Sequence, residues 1–231
     1  MRFMFVGDSM TIGRAGDFTW RYRMWQHLES TLGGGRYEIV GPRSELYDTA
    51  ADAPLSHAYA DPDFPAPARR HLAGWGEGWL HMAPLIGEAV TATGADVLLV
   101  SLGLIDLGFY TNSDQTAENV RAFTAAARAA NPRVKAVLMP VIPNIRAEYD
   151  APFADECERF NELLAKAVAD LDTAASPLLL ATTPESYDIH TDTYDGTHPG
   201  PTGEQKLAGA FADAMHQAWG VGGTYTPTPS A

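Results

Sequence analysis

Short runs of wholly apolar residues alternate along the chain with longer amphipathic segments, and this alternation limits the folds that the chain can adopt. The apolar runs predict strands at residues 2–6, 37–40, 96–101, 134–140 and 177–181. Residues 97–100 are apolar at every position, which is typical of a parallel strand covered on both faces. Strands that alternate with helices predict an α/β fold, a three-layer α/β/α sandwich around a parallel sheet of about five strands.

Amphipathic segments predict the helices that cover this sheet. Apolar residues recur every three or four positions in these segments, as expected for helices with one buried face. The predicted helices lie over residues 20–32, within 84–93, and over 114–130, 152–171 and 202–219.

A single domain is expected over residues 1–219, since strands and helices alternate there without an internal repeat. The stretch 41–72 is rich in Pro, Asp and Ala and is predicted as a long irregular connection. Residues 220–231 are mostly Gly, Thr and Pro and are predicted as a mobile tail.

The balance of charges excludes several classes of partner. The chain has 29 acidic and 16 basic residues, a formal net charge of −13, which argues against binding to nucleic acid or to an anionic membrane surface. No apolar stretch is long enough for a transmembrane helix, and residues 3–7 are too short for the apolar region of a secretory signal. We therefore expect a cytoplasmic protein without membrane contacts.

Cysteine and histidine usage gives no sign of a metal. The single Cys157 cannot form an internal disulfide, and no Cys/His cluster has the spacing of zinc ligands. His57, His71, His81 and His190 are expected in loops or at the surface.

The first candidate site is Gly7-Asp8-Ser9, directly after the first predicted strand. A serine at this turn projects its hydroxyl into the crevice beyond the carboxyl ends of the strands, where open parallel sheets bind ligands. A nucleophilic serine also needs a base within hydrogen-bond reach and a group that orients this base. Taken alone, the three residues fit a turn in which Asp8 and Ser9 cap the next helix.

The second candidate is Asp195-Gly196-Thr197-His198-Pro199, just before the last predicted helix. A carboxylate three residues before a histidine can bond the ring Nδ1, which leaves Nε2 free as a general base. Taken alone, this segment too fits a turn followed by a helix start, with a surface histidine.

Together the two motifs resemble the SGNH hydrolase superfamily, also called GDSL esterases and lipases. The shared pattern runs from Met4 to about Leu207. The glycine block of the family resembles Ala73-Gly74-Trp75, and its Gly-x-Asn-Asp block aligns with Gly103-Leu104-Ile105-Asp106.

This resemblance implies the SGNH hydrolase fold, a flavodoxin-like sandwich, and a role for each matching residue. Ser9 is then the nucleophile, His198 the base and Asp195 the residue that orients the base. The backbone N–H groups of Ser9 and Gly74 are implied as oxyanion donors. No metal or organic cofactor is implied.

One position departs from the family pattern. Ile105 stands where the family has an asparagine that donates to the oxyanion, and an isoleucine side chain has no donor. Asp106 is expected to bond backbone near the site, and Asn112 is not expected to replace the missing amide. Trp75 and Ile105 are predicted in the substrate pocket, and Trp79 is a further candidate for its wall.

The function that follows is a serine-dependent acyl-ester hydrolase acting on a small-molecule ester through an acyl-Ser9 intermediate. Residues 20–28 and the Gly74-Trp75 block look similar to carbohydrate acetyl esterases, which suggests an acetyl group on a sugar or other polyol. An acyltransferase or a cyclising biosynthetic enzyme is the alternative, because the missing asparagine permits it. A non-catalytic binding module is a third interpretation, against which the presence of Ser9, Asp195 and His198 argues. The sequence indicates no oligomeric state.

Overall fold

The computed structural model describes residues 1–228 and has a mostly parallel sheet with helices on both faces. In chain order the strands are β1 Arg2–Gly7, β2 Glu38–Ile39, β3 Leu46–Asp48, β4 Ala53–Ser56, β5 Leu72–Ala73, β6 Val97–Ser101, β7 Lys135–Met139 and β8 Leu178–Leu180. The helices are α1 Ser9–Ile12, α2 Trp20–Thr31, α3 Trp79–Met82, α4 Ile86–Thr93, α5 Ser113–Ala130, α6 Ala151–Leu171, α7 Ile189–Asp192 and α8 Pro201–Trp219. Single turns of 3-10 helix lie at Ala66–Arg69 and Ile145–Glu148, and a π-helical turn lies at Asp106–Tyr110.

The central sheet has the strand order β2-β1-β6-β7-β8, and β5 pairs with the end of β1. All of these pairings are parallel. In the register, Gly7 of β1 is opposite Ser101 of β6, and Ser101 is opposite Met139 of β7. Three neighbouring strands therefore end at the same level, and the loops that follow them meet at one edge of the sheet.

Alternate residues of each central strand enter two separate cores. On one face, Phe3 and Phe5 of β1 pack with residues of α2 and α8 such as Trp20 and Phe211. On the opposite face, Met4, Val6 and their neighbours pack against α4, α5 and α6. Since both faces of the sheet are covered, the central strands are apolar throughout, as their sequences predict.

The five strands and five long helices predicted from the sequence are confirmed, with ends that differ by a few residues. The prediction of an irregular connection over 41–72 is wrong in part, because this segment contains the antiparallel hairpin β3–β4 and the first of the two residues of β5. These strands are two to four residues long, and β4 is largely exposed, so they lack the apolar runs that mark the other strands.

The end of the chain packs against α2 and α8 as far as the structure describes it. The Tyr225 ring lies against Gly209, where the lack of a side chain makes room for it. The Tyr225 N–H donates to Asp213 at 3.0 Å, and Thr228 donates to Gln26 at 2.9 Å. Residues 229–231 of the predicted tail lie outside the described residues, and the mobility of the tail stays a prediction.

Gly7 allows the close approach on which the end of β1 depends. A Cβ atom at this position would overlap the Thr11 side chain and lie 2.8 Å from the carbonyl oxygen of Ser101.

We predict that Gly7→Ala lowers the free energy of unfolding by about 1–3 kcal/mol, the usual cost of overpacking. Gly34→Ala is the control, because Gly34 is exposed and its added Cβ would meet only the end of the Glu29 side chain. Equal urea unfolding midpoints for the two variants would contradict this account.

Candidate active site

Ser9 lies at the carboxyl end of β1, where the chain turns into α1. Asp8 caps this short helix, since its Oδ1 accepts the Met10 N–H at 2.9 Å. Ser9 is the first residue of α1, and only 5% of its surface is exposed. Its own N–H has no partner among residues 1–228, which leaves a donor free beside the hydroxyl.

Asp195 and His198 lie in a tight turn before α8. One carboxylate oxygen of Asp195 accepts the N–H groups of Thr197 at 3.0 Å and His198 at 2.8 Å. The other oxygen lies 2.7 Å from His198 Nδ1. Burial raises the pKa of Asp195, but these hydrogen bonds and the nearby imidazole outweigh it and hold the pKa below its ordinary value. Asp195 therefore stays ionised beside the ring.

Gly196 makes this turn possible. Its φ is +81°, a left-handed conformation that glycine adopts without strain. A Cβ atom here would also lie 2.7 Å from the Cβ of Ile145. The turn that carries Asp195 and His198 is thus packed directly against the loop after β7.

Ser9 and His198 meet across the edge of the sheet. The Oγ of Ser9 lies 3.0 Å from His198 Nε2, although 189 positions separate the two residues in the chain. Asp195, His198 and Ser9 form one line of hydrogen bonds, and an imidazole that carries its proton on Nδ1, toward Asp195, presents the Nε2 lone pair to the serine hydroxyl. This geometry suits the activation of a serine nucleophile.

Aromatic rings hold the His198 imidazole in its plane. The Trp75 ring is stacked on it with centroids 4.7 Å apart, and the Tyr194 ring lies parallel to it at 5.7 Å. Tyr47 is stacked in turn on Trp75 at 4.3 Å, and the guanidinium of Arg14 lies 3.6 Å from the centre of the Tyr194 ring. Rotation of the imidazole away from Ser9 would break these contacts.

A cavity of about 390 Å³ opens beside Ser9 and His198. Trp75 and Ile105 lie in its wall, as the sequence predicts. Phe109 and Tyr110, on the π-helical turn, also line it and are largely exposed, with 77% and 54% of their surfaces accessible. The volume is near the lower end of the range for small-molecule sites.

Gly74, predicted as an oxyanion donor, does not fit that role in the structure. Its N–H donates to the carbonyl oxygen of Gly7 at 3.1 Å, which continues the pairing of β5 with β1. Gly74 also does not line the cavity. The next two residues, Trp75 and Gly76, do line it, and their N–H groups have no partner within residues 1–228.

Ile105 and Asp106 are neighbours with different surroundings: Asp106 bonds backbone groups, and Ile105 lines the cavity. Asp106 accepts the N–H groups of Trp79 at 2.8 Å and Leu80 at 3.0 Å, which confirms the backbone contact expected of it. Ile105 offers only hydrocarbon to the cavity. Asn112 caps α5 by accepting the Gln115 N–H at 2.9 Å and does not line the cavity.

Two other predictions are wrong. Trp79 does not line the cavity, because it is fully buried and packs edge-on against Phe123 in the core. His71 is neither exposed nor in an open loop; it is buried, and burial holds the pKa of its imidazole well below the ordinary value. Neither the motif next to Trp79 nor the lack of ligand spacing around His71 reveals which side chains of a segment face the core.

Sequence reasoning missed two polar residues of the cavity wall, Asn144 and Arg146. Arg146 is tied to its surroundings, because it donates to Asp150 at 2.7 Å and to the carbonyl oxygen of Gly108 at 3.2 Å. Asn144 caps the turn Ile145–Glu148 by accepting the Arg146 N–H at 3.1 Å. The strand before them was predicted, so the loop at its carboxyl end was the signal that could have pointed to them.

The family model described as GDSL-like lipase/acylhydrolase matches residues 5–206. Two solved structures are each 26% identical in sequence, with TM-scores of 0.75, and in each case 94% of this chain and 97% of the other are covered. One is an acetyl esterase variant with an acetate ion, and the other is a family 3 carbohydrate esterase from Talaromyces cellulolyticus. A family 3 carbohydrate esterase from Clostridium thermocellum is 19% identical with a TM-score of 0.72, which shows the fold alone; 94% of this chain and 96% of that one are covered.

No curated protein matches the sequence. Within residues 1–228, no helix is both long and apolar enough to cross a membrane.

A buried carboxyl next to Ser9 generates a pH prediction. Burial raises the pKa of Asp8 from 3.8 to about 7, with a smaller contribution from the charge of Asp106. The folded protein thus holds this proton more tightly than the unfolded chain. The contribution of this proton to the free energy of unfolding is fully present below about pH 3.8 and is lost as the pH rises through about 7. Asp8→Asn keeps the oxygen that accepts the Met10 N–H but cannot ionise.

We therefore expect the unfolding free energy of the native protein, minus that of Asp8→Asn, to fall as the pH rises from about 4 to about 8. Urea unfolding at a series of pH values measures it. A difference that stays constant over this range would show that Asp8 is ionised throughout in the folded state.

Proposed function

Since the chain belongs to the GDSL-like lipase/acylhydrolase family and is a serine esterase, we propose that Ser9 is its nucleophile. His198 is then the general base, and Asp195 is the residue that orients this base. The observation that carries the proposal is the hydrogen bond between Ser9 Oγ and His198 Nε2 at 3.0 Å, continued by Asp195 at 2.7 Å.

The reaction proceeds in two halves. In the first, His198 takes the proton of Ser9 as the serine oxygen adds to the ester carbonyl carbon. The tetrahedral intermediate collapses, the bond to the alcohol oxygen breaks, and His198 gives its proton to the departing alcohol. In the second half, His198 deprotonates a water that attacks acyl-Ser9, and Ser9 recovers its proton as the carboxylic acid leaves.

Main-chain donors stabilise the negative oxygen of each intermediate. The N–H of Ser9 is free and lies beside the reacting hydroxyl. The turn at Trp75 and Gly76 adds free N–H groups in the wall of the same cavity and takes the place predicted for Gly74. Donors fixed in advance toward the developing charge are usually the largest single contribution to catalysis in such sites.

The proposed substrate is a short-chain ester, an acetyl group on a sugar or other polyol. The small cavity with Ile105 and Leu104 in its wall suits a short acyl group. The exposed faces of Phe109 and Tyr110 suit the apolar face of a sugar ring at its rim. The acetyl esterase and the family 3 carbohydrate esterase that resemble this chain support the same substrate class.

We predict that Ser9→Ala lowers kcat for 4-nitrophenyl acetate on the order of 10⁴-fold or more, because no acyl-enzyme can form. His198→Ala should come close to this loss. Ser101→Ala is the control, since Ser101 is a buried serine at the end of β6 and does not line the cavity. Steady-state kinetics on variants with matched melting temperatures make the comparison. Activity that survives in Ser9→Ala would exclude Ser9 as the nucleophile.

The substrate proposal has its own test. The kcat/KM for acetyl esters should exceed that for octanoyl esters of the same alcohol by at least tenfold, because the cavity of about 390 Å³ has to hold the alcohol as well as the acyl group. Mass analysis of products from acetylated methyl xyloside, with and without glycerol as competing acceptor, separates hydrolysis from transfer. Acetate as the main product supports the hydrolase, and acetylglycerol as the main product would favour the acyltransferase alternative.

A further inference from the structure

The side-chain amide of Asn144 lies in the wall of the cavity beside Ser9. Ile105 lies in the same wall, at the position where the family pattern has an amide. Asn144 follows β7, and it lines the cavity together with Ser9, Ile105 and His198. Among the described residues that line this cavity, Asn144 alone has a carboxamide side chain. The loops after β1, β6 and β7 all meet at this edge of the sheet, so a donor lost from one loop can be supplied by the next.

The orientation of the Asn144 amide leaves its donor free. The oxygen Oδ1 accepts the Arg146 N–H at 3.1 Å and caps the turn that follows. This bond assigns the oxygen to the turn, and the nitrogen Nδ2 then has no partner among residues 1–228. Asp and Ser cap such turns as well as Asn does, so capping alone does not require an amide here.

The loop that carries Asn144 is held at both ends. The Ile145 N–H donates to the carbonyl oxygen of Gly196 at 2.8 Å, in the turn between Asp195 and His198. At the other end, the amide of Asn161 bonds both the N–H and the carbonyl of Val141, at 2.7 and 2.8 Å. The position of Asn144 is thus coupled to the turn that positions the proposed base.

We propose that Asn144 is a catalytic residue, and that its Nδ2–H donates to the oxyanion in place of the amide missing at position 105. The inference rests on the function proposed above. As Ser9 Oγ adds to the carbonyl carbon, the π electrons of the C=O bond move to its oxygen and the serine proton moves to His198. Asn144 gives this oxygen a hydrogen bond, and neither of its own N–H bonds breaks.

Two variants separate this role from capping. Asn144→Ser and Asn144→Asp both keep an oxygen that caps the turn, and both lose the amide donor. We expect kcat for an acetyl ester to fall by about 10²-fold in Asn144→Ser, in the range known for the loss of one oxyanion donor, with KM changed less than threefold. Asn144→Asp should be slower still, because its charge repels the oxyanion. Asn112→Ser is the matched control, a helix cap outside the cavity, and should keep the native kcat.

The decisive experiment is a double-mutant cycle with Ile105→Asn, which restores the amide of the family pattern. The gain in kcat from this change should be at least tenfold larger in Asn144→Ser than in the native background, because one amide then replaces the other. Equal gains in the two backgrounds would overturn the proposal. A rise in KM without a fall in kcat would also overturn it, since it would make Asn144 a ground-state binding residue.

The rate of Ser9 acylation distinguishes failure of this inference from failure of the proposed function. Intact mass after rapid mixing with 4-nitrophenyl acetate measures this rate. Native protein that acylates at the same rate as both Asn144 variants would overturn the role of Asn144 and leave the esterase proposal standing. Native protein that neither forms an adduct on Ser9 nor hydrolyses the ester would overturn both.

Discussion

The parallel pairing of β1, β6 and β7, with both faces of the sheet covered, is the constraint on which the rest of the molecule depends. The interior residues of these strands, such as Phe5, Leu99 and Val137, are apolar and buried in the two cores, so they offer no polar groups for chemistry. Functional groups are confined to the loops beyond the strand ends. The register brings these ends to one level, and a serine after the first strand thereby meets a histidine before the last helix.

Three carboxyl groups at the edge of the sheet differ in how burial and hydrogen bonds affect them. Asp8 and Asp106 are both buried there, and burial raises the pKa of each carboxyl above its ordinary value. Asp106 offsets this cost by accepting two backbone N–H groups at the start of α3. Asp195 is in the opposite position, with enough donors around it to keep its charge. The site thus holds one ionised carboxylate against the imidazole and shields two others from solvent.

The sequence predicted the sheet and the long helices because each has a strong local signal, whereas the roles of Ser9, His198 and Asp195 came from the resemblance of two motifs to a known family. Apolar runs mark the buried strands, and Asp195 lies at a spacing from His198 that a single turn closes. The oxyanion donors were harder, since main-chain N–H groups carry no residue signature. Whether the N–H of Gly74 is free depends on how β5 pairs with the end of β1, and the sequence did not predict β5.

Asn144 and the aromatic stack on His198 were beyond the sequence for a different reason. Tyr47 comes from β3, and Trp75 and Tyr194 come from two separate loops, so the stack exists only once the hairpin β3–β4 is placed. The same holds for Trp79, whose motif pointed to the cavity and whose backbone bond to Asp106 turns it into the core. Such contacts between distant segments depend on the whole fold, and no periodic pattern in the sequence predicts them.

The central claim is that Ser9 is a nucleophile activated by His198. Reaction with a fluorophosphonate, followed by peptide mass mapping, tests it most directly, because the serine oxygen displaces fluoride and keeps the phosphorus label. The account predicts one label, on the peptide that contains Ser9, formed much more slowly in His198→Ala and absent from Ser9→Ala. A label on another residue, or one that forms equally well in Ser9→Ala, would contradict it.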